Sequence, residues 1–132
     1  MTLENDNLNK EGFITLKKWL ENRNRGKTFA DYFHEYGYHT IAIYDAGDLG
    51  RLLYNEIKDS DIVVKYFIDR NAEGIKEIDG IPVILLSQIS RMEEVDVLLI
   101  SPVVNYDVIS LLLAEAEPEL RTLAFRDAVF EF

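Results

Sequence analysis

The segment from Ile41 to Arg51 constrains the fold of this 132-residue chain more than any other. An apolar run ends at Tyr44 and passes into the turn Asp45-Ala46-Gly47-Asp48-Leu49-Gly50. The turn carries two of the three glycines of the pattern G-x-G-x-x-G, in which a strand leads through a tight turn into a helix. Gly47 and Gly50 fill the second and third positions, and Asp45 stands at the first. The pattern therefore predicts a strand, a turn and a helix in direct succession.

Downstream of Gly37, short apolar runs alternate with stretches of helical periodicity. Strands are predicted near residues 40–44, 62–68, 82–85, 95–101 and 120–125, and helices near 49–58, 86–92 and 106–116. The tail from residue 126 to 132 is expected to be one helical turn or a loop. Alternating strands and helices need crossover connections, and crossovers produce parallel strands. The sequence thus predicts an α/β fold, a three-layer sandwich with a mostly parallel five-stranded sheet.

Residues 1–37 follow a helical pattern instead, and we expect them to form an N-terminal helical segment before the compact unit 38–132. One helix is expected after the polar lead 5–10, with Phe13, Leu16 and Leu20 as an apolar stripe. A second helix should begin near Thr28 or Asp31 and close at Gly37. The segment is rich in aromatic side chains, which favour core packing or, as the alternative, contact with a second copy or a partner protein: Trp19, Phe29, Tyr32, Phe33, Tyr36 and Tyr38.

Composition argues against several classes of function. The formal net charge of -10 and the lack of a basic cluster disfavour nucleic acid as a partner. No apolar run is long enough to cross a membrane, and the N-terminus lacks the order of a secretory signal, so a cytoplasmic location is expected. The chain has no cysteine, which excludes disulfides and thiolate ligands. His34 and His39 have no ligand partners at metal-binding spacing, so no metal site is predicted.

Polar residues follow the predicted strands at the edge where parallel strands end. In open α/β sheets, ligands bind beyond these carboxyl ends, where the strand order reverses. Asp69 ends the second strand 19 residues after Gly50. An acid at this distance accepts hydrogen bonds from a ribose in dinucleotide-binding folds. The predicted binding residues are Asp45, Gly47, Asp48, Leu49, Gly50, Arg51, Asp69, Arg70 and Ser101.

The same residues also have structural explanations. A tight turn and close helix packing need both glycines even without a ligand, and Asp45 or Asp48 can cap the following helix. A carboxylate of Asp45 at the helix N-terminus would take the place of a phosphate. Ser101 can cap the helix after the fourth long strand. Both explanations of the turn stay open at this point.

Four segments together resemble the nucleotide-binding domain of bacterial polysaccharide-biosynthesis proteins: Tyr44–Arg51, Phe67–Asp69, Ile78–Val83 and Val95–Ile100. That group includes capsule-type nucleotide-sugar epimerases or dehydratases and the N-terminal domains of sugar acyltransferases. The resemblance covers about residues 40–125. It implies a Rossmann-like domain that binds NAD(P) or a nucleotide sugar, with Gly47 and Gly50 as phosphate-loop glycines and Asp69 as the ribose or uridine contact. Asp45 departs from the family, which has glycine there.

No catalytic residues emerge from the pattern. Tyr54 and Lys58 form the Tyr-x-x-x-Lys pair of short-chain dehydrogenases, but they lie on the helix directly after the glycine turn rather than on a later one. Ser101 lacks a histidine and an acid at triad spacing. Three hypotheses remain: a nucleotide or nucleotide-sugar binding domain without a complete catalytic site, a degenerate Rossmann-like module for protein interaction or assembly, and a fragment of an NAD(P)-dependent oxidoreductase or epimerase.

Overall fold

The computed structural model describes residues 3–132, with side chains from residue 10 onward. Its helices are α1 (Leu3–Asn24), α2 (Phe29–Glu35), α3 (Asp48–Ile57), α4 (Ala72–Ile75), α5 (Tyr106–Ala116) and α6 (Phe125–Ala128), with a 3-10 helix at Leu86–Arg91. The strands are β1 (Thr40–Tyr44), β2 (Val63–Ile68), β3 (Glu77–Ile78), β4 (Ile81–Ile84), β5 (Val97–Ile100) and β6 (Thr122–Ala124).

The strands form one sheet in the order β3-β4-β2-β1-β5-β6. All neighbours pair in parallel except β3 and β4, which pair antiparallel. From β1 the chain adds strands on one side as far as β4 and then crosses over to place β5 on the other side of β1. The strand order therefore reverses between β1 and β5, and the predicted α/β fold with a mostly parallel sheet is confirmed.

Three details differ from the sequence prediction. The sheet has six strands rather than five, because Glu77–Ile78 forms a hairpin with β4 through Asp79 and Gly80, both at positive φ. Two residues are too few to show an alternating pattern. The helix predicted at 86–92 is a 3-10 helix, and α1 begins at Leu3, before the polar lead has ended. Polar side chains cost a helix only a few tenths of a kcal/mol per residue, roughly, so they do not delay its start.

Each face of the sheet covers its own apolar core. Alternate residues of β1 supply both, since Ile41 and Ile43 enter one core and Ala42 the other. The first core lies under α2, α3 and α6, with its fully buried large side chains including Phe29, Phe33, Leu53, Phe67 and Phe125. The second lies under α5 and the 3-10 helix and includes Tyr66, Ile68, Leu98, Ile100 and Leu113. Strands covered on both faces explain the near-continuous apolar runs of the sequence.

The N-terminal helices are attached to the sheet domain by a buried carboxylate. The Glu56 side chain on α3 is 3% exposed and accepts hydrogen bonds from the Trp19 indole and the Phe29 backbone N–H, both at 3.0 Å. Arg23 forms an ion pair with the same carboxylate at 3.2 Å. Asn22, fully buried, donates to the Val129 carbonyl at 2.7 Å. Helices α1 and α2 therefore share polar contacts as well as an apolar core with the rest of the chain.

The apolar stripe of α1 does not face this core. Helix α1 buries Thr15, Trp19 and Asn22, whereas Phe13, Leu16 and Leu20 are 68%, 43% and 60% exposed. The aromatic residues Trp19, Phe29, Tyr32 and Phe33 are buried, which confirms the prediction of core packing for these four; Tyr36 is exposed. None of the helices in residues 3–132 combines the length and apolar character needed to cross a bilayer.

Candidate functional site

Three chain segments meet at the carboxyl edge of the sheet. Asp45 follows β1, Asp69 follows β2 and Ser101 follows β5, each directly after the last residue of its strand. Backbone hydrogen bonds hold these residues in register: the N–H of Asp45 donates to Ile68 at 2.7 Å, and that of Ser101 to Tyr44 at 3.3 Å. The structure thus brings together the predicted residues from the first, second and fourth long strands at the point where strand order reverses.

Asp45 adopts the backbone conformation that explains the glycine of the full pattern. Its φ is 91°, a region that side-chain-bearing residues rarely adopt, and aspartate tolerates positive φ better than most. The side chain compensates, because its Oδ1 accepts a hydrogen bond from the Gly47 N–H at 2.8 Å. The turn keeps its shape without a first glycine because the Asp45 carboxylate closes it.

The two remaining glycines have different roles. A Cβ on Gly50 would lie 1.9 Å from the Asp45 carbonyl oxygen, so α3 can start against the turn only with glycine there. A Cβ on Gly47 would lie 3.0 Å from the Asp45 Oδ1, a tight approach to a side chain rather than to backbone. Packing alone therefore requires Gly50, whether or not a ligand binds.

Asp69 joins the end of β2 to the same turn. Its Oδ2 accepts a hydrogen bond from the Ala46 N–H and its Oδ1 one from the Asn71 N–H, both at 2.8 Å. Since Asp45 accepts a hydrogen bond from the Gly47 N–H, two consecutive amides of the turn donate to carboxylates of this chain. The roles of Ala46 and Asn71 were not predicted from the sequence. The triplet Asp69-Arg70-Asn71 did carry a signal for the second, since aspartate commonly binds the N–H two residues ahead.

The two carboxyl groups influence each other's protonation. Burial raises the pKa of Asp45, and the neighbouring carboxylate of Asp69 raises it further, against the opposing hydrogen bond from Gly47. Burial also acts to raise the pKa of Asp69, but hydrogen bonds from Asn71 and Ala46 outweigh it and leave that pKa below its usual value. As pH falls, Asp45 therefore gains a proton before Asp69 does.

The N-terminus of α3 lies at this edge of the sheet and has no side-chain cap. Gly47 occupies the cap position, and Asp48, predicted as an alternative cap, is instead the exposed first residue of the helix. That part of the prediction is wrong, although a carboxylate in the first turn still complements the helix dipole. The first-turn amides of a helix have no partner within it. Those of α3 remain available to a ligand or to water.

The other predicted residues lie beside this turn. Leu49 is half-buried against the first core. Arg51 is exposed, and its Nε donates to the Ala46 carbonyl at 2.9 Å, so its guanidinium supports the turn. Arg70 is exposed beside Asp69.

Ser101 is fully buried, and its hydroxyl donates to the Tyr44 carbonyl at 2.6 Å. Its predicted role as the cap of the next helix is wrong, because α5 follows Asn105 at φ 59°.

The Tyr-x-x-x-Lys pair lies away from the glycine turn. Tyr54 is buried, with its ring edge-on to Phe67 at 5.6 Å between centroids. Burial and a hydrogen bond with Asp79 raise its pKa. Lys58 is exposed at the C-terminal end of α3, about three turns from the helix end that follows the glycine turn. The pair therefore packs and caps α3 rather than lining the candidate site.

No protein-family model, curated protein or solved structure matches this chain. Within the described residues, no group of three or more His, Cys, Asp or Glu side chains is arranged to hold a metal ion.

Proposed function

We propose that this chain is a Rossmann-like binding domain for a nucleoside or nucleotide sugar, without a complete catalytic site of its own. The observation that carries the proposal is the meeting of Asp69 with the Asp45–Gly50 turn at the reversal of strand order between β1 and β5. This is the position at which open α/β sheets bind ligands. The resemblance to polysaccharide-biosynthesis proteins makes nucleotide sugars and NAD(P) the first ligands to test.

Asp69 is suited to bind the hydroxyl groups of a sugar. Its two oxygens each accept one backbone N–H, and a carboxylate has about four acceptor positions in all. The Asp69 side chain is half-buried at the carboxyl edge of the sheet, and its lowered pKa keeps it ionised at neutral pH. Hydrogen bonds to a charged acceptor are about twice as strong as those between neutral groups. A ribose or hexose diol is therefore a fitting partner for Asp69.

Phosphate binding at the turn is weakened by the same carboxylates. The amides of Ala46 and Gly47 already have acceptors, and the charges of Asp45, Asp48 and Asp69 oppose an anion. The uncapped amides of α3 and the Arg51 side chain are what remains to favour a phosphate. We infer that the hydroxyl groups of the ligand contribute more to binding than its phosphates do.

A ligand panel tests this proposal. Thermal unfolding is measured with uridine, adenosine, a uridine-diphosphate sugar, NAD, NADP and coenzyme A at millimolar concentration. A ligand present at one hundred times its dissociation constant should stabilise the fold by about 2.7 kcal/mol. Asp69→Asn should remove the response, and Glu77→Gln, an exposed acid on β3, is the matched control that should retain it. No response to any member of the panel would refute the proposal.

The departure at Asp45 gives a second arm to this experiment. Asp45→Gly removes the carboxylate, frees the Gly47 N–H and suits the positive φ. We expect it to tighten the binding of the phosphate-containing ligands by about tenfold, the scale of one lost like-charge contact in a partly buried site, and to leave nucleosides unchanged. Calorimetry on the two ligand classes separates the effects. Equal changes for both classes would show that Asp45 does not act through phosphate.

A second candidate function, self-association, rests on the exposed stripe of α1. Phe13, Leu16 and Leu20 are spaced by three and four residues, as in the seam of a helix pair. The occupant we propose is a second copy of α1. Sedimentation should then show a dimer that Leu20→Lys converts to monomer, with Lys17→Ala on the same helix as the control. A monomer at every concentration would eliminate this function and leave the ligand panel unaffected.

A further inference from the structure

A pocket lies at the opposite, amino edge of the sheet. It has a volume of about 430 Å³ and opens where β5 and β6 begin. The end of the 3-10 helix and the segment before β6 form its walls, with Met92, Val95 and Leu120 among the apolar side chains. The volume lies within the range of small-molecule sites. No residue of the candidate site at the carboxyl edge contributes to it.

The charged lining of this pocket has one sign. Four glutamates line it, and the lining includes no lysine, arginine or histidine: Glu93, Glu94, Glu117 and Glu119. Lys65, which does not line the pocket, forms an ion pair with Glu93 at 3.2 Å. The other three glutamates form no ion pair with a described residue. The described part of the chain holds no cluster suited to a metal ion, so these carboxylates do not converge as metal ligands. The pocket thus favours an organic cation.

Tyr66 supplies an independent sign of a ligand. Its side chain is 2% exposed and forms part of the pocket wall. The Tyr66 hydroxyl forms no hydrogen bond with another described residue. Every fully enclosed side-chain oxygen of the described residues has a partner, so the Tyr66 oxygen is not fully enclosed. We infer that it reaches the pocket, since Tyr66 forms part of the pocket wall. Burial together with the nearby charge of Glu117 raises the pKa of Tyr66 to about 12. An accessible phenol oxygen without a partner among the described residues is free to accept a hydrogen bond from a ligand.

We propose that this pocket binds a small aliphatic diamine or polyamine, with one ammonium group placed between the Tyr66 hydroxyl and Glu117. An ammonium donates three hydrogen bonds, which the phenol oxygen and the carboxylate accept. The methylene chain lies along Met92 and Leu120, and a second ammonium reaches Glu94 or Glu119 at the mouth. This binding is independent of the function proposed for the carboxyl edge.

Calorimetry on the full chain with cadaverine and spermidine tests the proposal. We expect binding by the wild-type protein, with the dissociation constant raised about fivefold by Tyr66→Phe and tenfold or more by Glu117→Gln, which removes a charged hydrogen-bond acceptor. Glu77→Gln, an acid outside the pocket, is the matched control and should bind normally. The neutral analogue 1,5-pentanediol should not bind, and magnesium chloride at equal ionic strength should not compete beyond simple screening.

Absence of binding at millimolar diamine would overturn the proposal. Binding that survives both Tyr66→Phe and Glu117→Gln unchanged would also overturn it, because the amine would then be held by the general negative charge. Both variants alter groups at the pocket surface, and circular dichroism confirms that each is folded before titration. The nucleotide panel gives an unrelated result in either case, since its residues lie at the other edge.

Discussion

The two edges of the sheet treat their polar groups in opposite ways. At the carboxyl edge, the hydroxyl of Ser101 and the carboxylates of Asp45 and Asp69 all bind backbone groups of the same chain. At the amino edge, the Tyr66 hydroxyl and several glutamates face an open pocket. The fold class directs attention to the first edge, because ligands bind there in related architectures. The comparison teaches that topology gives the default position of a site, whereas the groups left without partners decide what each edge can bind.

Gly50→Ala, at the carboxyl edge, should reduce stability more than any of the other proposed substitutions. The added Cβ would lie 1.9 Å from the Asp45 carbonyl oxygen, so α3 or the end of β1 must shift. We expect a loss of about 3 kcal/mol or more in the free energy of unfolding, the upper range for overpacking. Urea denaturation measures it. Gly12→Ala is the control, because a Cβ there meets no atom within 4 Å and alanine favours the helix; equal losses in both variants would contradict the proposed crowding.

Asp69→Asn should have the next largest effect. An amide in place of the carboxylate presents one N–H₂ group where both Ala46 and Asn71 need an acceptor. Leaving one buried donor unpaired costs about 1 to 3 kcal/mol. Because the folded pKa of Asp69 is lowered, its contribution is present above the usual value of 3.8 and is lost as pH falls through the folded pKa. Below pH 4, the free energy of unfolding should therefore fall less steeply with decreasing pH in the variant than in the wild type. The same pH dependence in both proteins would contradict this.

A pair of hydroxyl deletions compares the edges directly. Ser101→Ala removes a buried donor from the Tyr44 carbonyl and should cost about 1 kcal/mol. Tyr66→Phe removes a hydroxyl that has no hydrogen-bond partner among the described residues and should change stability by no more than about 0.5 kcal/mol. Parallel urea titrations give both values. A loss on Tyr66→Phe as large as that on Ser101→Ala would show that the amino-edge hydroxyl is paired after all.

Asp45→Asn should have a small effect on stability that depends on pH. Asparagine tolerates positive φ and keeps an acceptor for the Gly47 N–H, but it carries no charge beside Asp69. The raised pKa of Asp45 means that its contribution is fully present below pH 3.8 and is lost as pH rises through the folded pKa. The variant should therefore gain about 0.5 kcal/mol over the wild type at neutral pH. The gain should vanish toward pH 3.8 in thermal scans, and a constant difference would contradict the charge explanation.

Much of the fold could be predicted because it depends on local patterns. Apolar runs such as Val97–Ile100 predict buried strands, and the turn after Tyr44 predicts a strand–helix junction. The structure has both. The hairpin strand Glu77–Ile78 was missed because two residues carry no period. The stripe of Phe13, Leu16 and Leu20 predicts a helix correctly, but it does not reveal which face packs, since Thr15 and Asn22 are buried instead.

The position of the candidate site could be predicted from the sequence, but the hydrogen bonds of its carboxylates could not. The spacing of Gly50 and Asp69 predicts that they meet at one edge of the sheet, and the structure places both there. The sequence left two explanations of Asp45 open, and the structure selects closure of the turn by its carboxylate on Gly47. The sequence allowed this contact, since aspartate commonly binds the N–H two residues ahead, but the spacing alone does not distinguish it from a helix cap. The φ of 91° at Asp45 and the hydrogen bond from Gly47 decide it.

The sequence by itself determined the class of fold, the glycine turn and the placing of Asp69, because hydrophobic period and turn chemistry are local properties of the chain. Tertiary structure alone decided which polar side chains have hydrogen-bond partners among the described residues and which do not. Tyr66, Glu94 and Glu117 come from distant parts of the sequence and line one pocket only after β2 and the segments before β5 and β6 are assembled. Pairing at one edge and openness at the other follow from through-space geometry, which is set when the whole sheet packs.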